Sequence, residues 1–179
     1  WAYAYDNVDN LTSQTDARGV VTSFVYDALN RLTQKSYTIP STLNLEPSTP
    51  VVYSYDDPAK PFSAGKLTGV TDGSGSSSFE YDNLGRAVKE TKIVGGTSHI
   101  VLRTYDLLGR PTSLTEPNSD VVTYTYNAQG GIETVGLQSP VSGLMSVVSA
   151  MAYNAAGQLT KLIYGNGVVS DYSYDPQTL

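Results

Sequence analysis

Six aspartates directly follow a tyrosine, at Asp6, Asp27, Asp56, Asp82, Asp106 and Asp175, and Asn127 and Asn154 hold the same place after Tyr126 and Tyr153. Paired carboxyls are the working groups of glycoside hydrolysis, which needs two of them ~5–10 Å apart across one cleft. Recurrence at regular intervals instead spreads the carboxyls out, one to each turn. There an Asp or Asn side chain bonds backbone N–H groups two residues on. Turn capping is the expected role, not catalysis. Asp72-Gly73-Ser74-Gly75-Ser76 resembles a calcium loop only faintly, since such loops use several carboxylates and a terminal Glu. It reads as a flexible turn. His99 stands alone in a loop-like GGTSH stretch and reads as a loop residue. No GxSxG, P-loop or GxGxxG context occurs. The sequence thus points to no enzyme, no catalytic residue, no metal site and no cofactor.

Composition narrows the classes further. The chain has 179 residues, no cysteine, 11 basic and 17 acidic side chains, and a net charge of −6. Disulfide frameworks, thiolate metal sites and thiol nucleophiles are ruled out. Acidity without basic clusters argues against nucleic acid as a partner, because phosphate binding needs a basic footprint. No apolar run approaches the ~18 residues of a membrane-spanning helix. The opening WAYAYDNVDN has neither a basic nor an apolar leader region, so no signal peptide is expected within this segment. Valine, threonine and tyrosine together number 51, the composition of a strand former. A chain of this size buries about 70% of its unfolded surface when globular, so a sizeable core is available to it.

The main signal is internal repetition. YDNVDNLT starts at Tyr5, YDALNRLT at Tyr26, YDDP at Tyr55, YDNLGRAV at Tyr81 and YDLLGRPT at Tyr105. YNAQGGIE follows at Tyr126, YNAAGQLT at Tyr153 and YDPQTL at Tyr174. The eight starts are 21 to 29 residues apart. Two residues before the motif tyrosines stand Tyr3, Phe24, Tyr53, Phe79, Arg103, Tyr124, Met151 and Tyr172, with mostly small or polar residues between. Period two puts both members of each pair on one strand face. Cross-strand stacking of these rings is the expected use, with hydroxyls wet.

Four residues after the tyrosine come Gly85, Gly109, Gly130 or Gly157, with Asp9 and Asn30 as substitutes. These are the types that tolerate positive φ. A type I turn followed by such a residue is a common hairpin connection. Each unit is therefore expected to be a β-hairpin closed at YDxxG, with Gly/Asn/Asp-rich turns linking one hairpin to the next. Val141 to Met151 leaves open a short helical turn. The segments Ser36–Pro50, Asp56–Gly65 and Gly136–Met145 read as variable loops, either outside contacts or disordered connectors.

These octets resemble the YD-repeat, or Rhs-repeat, family, whose pattern is roughly YDxxGRLT, and the resemblance covers the whole chain. It implies an all-β fold of repetitive antiparallel β-hairpins forming an elongated curved sheet, an arc of a YD-repeat shell. Family members include bacterial polymorphic toxins, the BC component of insecticidal toxin complexes, wall-associated proteins and the teneurins. The implied partners are the remainder of the same shell and an enclosed C-terminal toxin polypeptide, and the implied location is secreted or at the cell surface of a bacterium. The structural motif residues so implied are Tyr5, Asp6, Tyr26, Asp27, Tyr55, Asp56, Tyr81, Asp82, Gly85, Tyr105, Asp106, Gly109, Tyr126, Asn127, Gly130, Tyr153, Asn154, Gly157, Tyr174 and Asp175.

Residues 1–179 are expected to form one repeat array, a fragment of a larger protein, since the chain opens inside one repeat and stops inside another. It carries no DPxG-type closing segment, where toxin members of the family cleave themselves. The alternative is an adhesion or carbohydrate-binding module contacting glycan or a cell surface. Packed aromatic pairs favour the shell; pairs exposed in rows favour adhesion.

Overall fold

A computed structural model of the chain describes residues 1–41 and 49–175. Of the expected loop Ser36–Pro50, residues 36–38 are strand, and residues 42–48 lie outside the described residues. Period-two patterning and strand-forming composition produce 15 antiparallel strands among the described residues, more than half of them. Two compact units divide the chain, Trp1–His99 and Ile100–Leu179.

The first unit contains β1 (Ala2–Tyr5), β2 (Leu11–Thr15), β3 (Val21–Tyr26), β4 (Leu32–Thr38), β5 (Val51–Tyr55), β6 (Leu67–Asp72), β7 (Gly75–Tyr81) and β8 (Ala87–Val94). β9 (Thr97–Tyr105) begins in the first unit and continues into the second. The second unit continues with β10 (Pro111–Thr115), β11 (Val121–Tyr126), β12 (Ile132–Ser139), β13 (Gly143–Tyr153), β14 (Leu159–Tyr164) and β15 (Val169–Asp171). Within each unit the strands are hydrogen-bonded in sequence order, so every connection is a hairpin. The all-β hairpin fold is the one the repeat implies.

A regular β-bulge follows each YD turn from Tyr5 to Tyr153. Tyr5 pairs with Leu11 while Ala4 pairs with Ser13, which leaves Thr12 as the extra residue. The same slip passes over Thr33, Thr68, Val88, Thr112, Glu133 and Thr160. At two of these bulges the threonine hydroxyl donates across to the partner strand, Thr33 to Val25 O at 3.1 Å and Thr160 to Ala152 O at 3.1 Å. An extra residue bends the strand and re-aims its neighbours, so the last position of the octet, whatever its side chain, marks where each hairpin turns away.

Burial departs from the globular expectation. Among the described residues, those below 9% exposure are Val148, Ser63 and Thr68. Strands that pair only with their sequence neighbours form a single layer within each unit, and among the described residues no second sheet or helix covers it, so side chains are half-buried by their lateral neighbours. Alternation survives in that form. Tyr53 and Tyr55 are half-buried around exposed Ser54, and Tyr124 and Tyr126 around exposed Thr125.

Three further expectations are corrected. Val141 to Met151 holds no helical turn, because Gly143 onward is β13, paired with β12 from Ser139↔Gly143 to Val135↔Val148. Gly136–Met145 is therefore the end of a long hairpin and not a loop. The Asp56–Gly65 insertion is ordered: Ser63 Oγ donates to Asp57 O at 2.7 Å, and Lys60 Nζ reaches Thr68 O at 2.8 Å and Ser78 Oγ at 2.7 Å. A lysine laid across the strands compensates here for scarce apolar contact.

Candidate functional site

The YDxxG turn is the most elaborate local structure in the chain. In the Asp27 turn, Asp27 N donates to Arg31 O at 3.0 Å and Asn30 N donates to Asp27 O at 3.0 Å. The side chain closes the ring from inside, as Asp27 Oδ1 accepts from Leu29 N and Arg31 N, both at 2.9 Å. Asp6, Asp82, Asp106, Asn127 and Asn154 cap their turns with the same two bonds. The αL position is φ 64° at Asp9, 59° at Asn30, 75° at Gly85, 80° at Gly109, 89° at Gly130 and 78° at Gly157. Asp56 heads a longer detour that still closes by Asp56 N to Lys66 O at 3.2 Å. Asp175 is exposed beyond β15.

The second carboxylate oxygen is spent on the residue four places on. Asp27 Oδ2 accepts from Arg31 Nε at 2.7 Å, Asp82 Oδ2 from Arg86 Nε at 2.7 Å, and Asp106 Oδ2 from Arg110 Nε at 2.6 Å. The guanidinium groups of Arg31 and Arg110 then extend toward the next unit. Arg31 lies 4.4 Å over the Tyr55 ring and bonds Asp56 Oδ2 at 2.6 Å; Arg110 lies 4.3 Å over the Tyr126 ring. Asn10 performs the same bridge without charge, from Asp6 Oδ2 to Asn30 Oδ1, both at 3.0 Å.

The motif tyrosines complete the joint. Each strand pair that links two hairpins stops short of the turn edge; β2 and β3, for instance, pair only from Ser13↔Ser23 to Thr15↔Val21. Beyond that point the carbonyl of Leu11 has no strand opposite it. Tyr26 Oη donates to Leu11 O at 3.0 Å. Tyr55 does the same to Leu32 O, Tyr81 to Leu67 O, Tyr126 to Pro111 O, Tyr153 to Ile132 O and Tyr174 to Leu159 O, at 2.6–2.9 Å. The expected wet hydroxyls are thus bonded, because a splayed strand pair leaves a carbonyl that only a long side chain reaches. Tyr5 is 60% exposed and makes no such bond among the described residues.

Electrostatics follow from these bonds. The turn N–H of Arg31 and then its guanidinium hold the Asp27 carboxyl below the ordinary aspartate value, and Arg31 followed by the Gly65 N–H does so for Asp56. At Asp106 the Arg110 backbone and side chain have the same effect. Asp27 and Asp56 grip a common group, Arg31. Both are pushed toward the ionised form. A general acid needs the opposite shift, so this pair is built to hold a cation and not to deliver a proton.

Outside the YD turns, Asp16 caps Arg18 N and Val20 N and closes the same ring, with Gly19 at φ 81°. Glu116–Asp120 and Tyr164–Val168 repeat the backbone pattern. The same turn geometry therefore recurs among the turns that link hairpins, which the lack of a tyrosine before Asp16 conceals in the sequence. His99 sits in β9, exposed, and not in a loop. Asp72 Oδ1 accepts from Ser74 N, Ser74 Oγ and Gly75 N at 2.8, 2.6 and 3.1 Å, the bonds of a tight turn.

Comparison with known proteins agrees with this geometry. No curated protein matches the chain. Among solved structures, the TcdB2-TccC3-Cdc42 crystal structure aligns over 98% of this chain and 10% of its own, at 17% identity and a TM-score of 0.87. TcdB2-TccC3 without its hypervariable C-terminal region aligns over the same shares at 18% identity and a TM-score of 0.86. A Photorhabdus luminescens Tc holotoxin pore carrying a TccC3 mutation aligns over 98% of this chain and 9% of its own, at 19% identity and a TM-score of 0.86. The chain spans about a tenth of the length of the structures it matches, and at such identities the likeness is one of fold. The RHS Repeat description matches residues 5–38, 63–97 and 105–134. Matched over more than half its length, along stretches that carry the capped turn, the bulge and the tyrosine bond, the chain belongs to the RHS repeat family.

Proposed function

We propose that this chain is a non-enzymatic wall segment of a secreted bacterial RHS-repeat protein whose repeats enclose a C-terminal toxin polypeptide. In this reading residues 1–179 are one array with eight starts, and the motif residues Tyr5 through Asp175 are its structural repeat elements. The observation that carries it is the joint: six motif tyrosines spend their hydroxyls on the carbonyl of the preceding hairpin. A device that links each hairpin to its predecessor, and needs no central core, extends a sheet by repetition. Such a sheet is suited to walling off volume. Confinement then denies an enclosed chain the space to fold and act. The toxin complexes named in the similar structures support the toxin setting and the extracellular location.

The adhesion alternative needs aromatic pairs open in rows. Tyr53, Tyr55, Tyr124 and Tyr126 are half-buried, with the hydroxyls of Tyr55 and Tyr126 bonded, and the exposed pairs Tyr3/Tyr5 and Tyr172/Tyr174 stand at the two ends of the described residues and not in a continuous row, which weighs against it.

The test uses the parent protein that carries this segment. Its region C-terminal to the repeats is followed by limited proteolysis and by toxicity assay, before and after acid or denaturant opening. Resistance to protease and lack of toxicity until opening are expected. Digestion at the rate of the free region, or full toxicity while the repeats are intact, overturns the proposal.

A further inference from the structure

One joint in the second unit lacks the bridge that its sister joints contain. At three joints a nitrogen donor of one turn lies against the αL residue of the next. Asn10 Nδ2 bonds Asn30 Oδ1 at 3.0 Å, Lys66 Nζ lies 2.9 Å from where a Cβ on Gly85 would stand, and Arg110 Nη1 lies 3.6 Å from the same point on Gly130. At the next joint the octet reads YNAQGGIE, with Gly131 in the arginine position. A Cβ built on Gly157 would meet nothing within 4 Å. Between the Asn127–Gly131 and Tyr153–Gly157 turns lies an open cleft of about 680 Å³, with no charged residue in its lining.

We propose that this cleft receives an arginine side chain supplied by a polypeptide from outside the two turns. The sister joints define the ligand. Arg31 and Arg110 lay their guanidinium groups 4.4 and 4.3 Å over Tyr55 and Tyr126, the tyrosines in the place that Tyr153 occupies here. A carboxylate is not essential to that pose. Lys66 holds its amine 5.9 Å over Tyr81 with no ion pair among the described residues. A planar cation over an aromatic face is attracted by the ring quadrupole wherever its charge comes from. Charge favours it too, since Ile100–Leu179 carries three basic against six acidic side chains. Asn127 keeps the turn capped through Oδ1, to Gln129 N at 3.1 Å and Gly131 N at 2.8 Å, so the turn stands without the internal arginine.

The probe is N-acetyl-arginine amide, titrated into the 179-residue chain while the amide resonances of Gly130, Gly131 and Gly157 are followed by NMR. The neutral isostere N-acetyl-citrulline amide is the control. Saturable shifts at these three glycines with arginine and none with citrulline are expected, with a Kd on the order of tens of millimolar for one cation–π contact in a partly enclosed cleft. Tyr153→Phe and Tyr153→Leu both lose the bond to Ile132 O, but only the first keeps the ring. Binding survives in Y153F and is lost in Y153L. Asn127→Asp restores the sister carboxylate and tightens binding by about threefold, the scale of an exposed ion pair. Equal shifts with citrulline, no saturable shift with arginine, unchanged binding in Y153L or weaker binding in N127D each overturn the proposal.

Discussion

Every fixed letter of the octet has a separable physical task, and the tasks make unequal demands on chemistry. The Asp cap needs only a side-chain oxygen two bonds from the backbone, which is why Asn127 and Asn154 substitute for it without altering the turn. The bridge to Arg needs a second acceptor, which Asn lacks. Asp82→Ala therefore removes both functions and Asp82→Asn only one: thermal melting falls by several degrees in D82A and by less than half as much in D82N. Equal losses would show that the cap contributes nothing. At Gly109, φ 80° costs an L side chain about 1 kcal/mol, so Gly109→Ala lowers stability by that amount in a denaturant titration, whereas Gly109→Asn, the type found at Asn30, costs less than half of it. The carboxylates also set an acid limit. Asp6, Asp16, Asp27, Asp56, Asp72, Asp82 and Asp106 all lie below the ordinary value of 3.8 when folded, so the stability they contribute is fully present above that value. It is lost as pH falls through their lower folded values. Melting temperature followed from pH 7 to pH 2 should change little through these groups above about pH 5 and drop below pH 4; a main loss between pH 5 and 7 would assign it to other groups.

At the scale of elements, the hairpins were readable in the sequence and the joints between hairpins were not. Period-two aromatics and a φ-tolerant residue four places after each tyrosine are local signals, and local conformation is what they report. The bulge at Thr12 or Thr33 depends instead on how many residues the partner strand sets opposite, a count no single strand contains. Bonding of Tyr26 to Leu11 O depends on two hairpins diverging beyond Ser13↔Ser23, so its tyrosine reads only as another strand aromatic. The arginine bridge had a visible trace in Arg31, Arg86 and Arg110, each four residues after an Asp. Because the bond is made between hairpins, removing it acts there. Tyr81→Phe and Tyr126→Phe each cost ~1 kcal/mol, the net worth of one hydrogen bond, while Tyr5→Phe costs nothing measurable. Chemical denaturation of the three variants reads this directly, and equal costs at all three positions would remove the tyrosine bond from the account of the joint.

For the molecule as a whole, the decisive feature is that cohesion runs from strand to neighbouring strand and does not pass through a common centre. In a globular domain, a shared apolar core makes unfolding all-or-none, because opening any part exposes what holds the rest. Here Val148 is the buried hydrophobic residue among those described, and the closest packing lies instead in joints such as Lys60 over Thr68 and Ser78. Stability then approximates a sum of hairpin terms and nearest-neighbour terms, as in other repeat proteins. Openings are expected to be local and graded. Native-state hydrogen exchange should resolve several opening free energies within the Trp1–His99 unit alone, and Asp27→Ala should speed exchange in β3 and β4 while leaving β7 and β8 unchanged. Calorimetry should return a van't Hoff enthalpy below the calorimetric one. Equal enthalpies, with β7 and β8 amides accelerated as much as those of β3, would mean that the layer unfolds as one body and that some cooperative contact beyond the tyrosine and arginine joints binds it together.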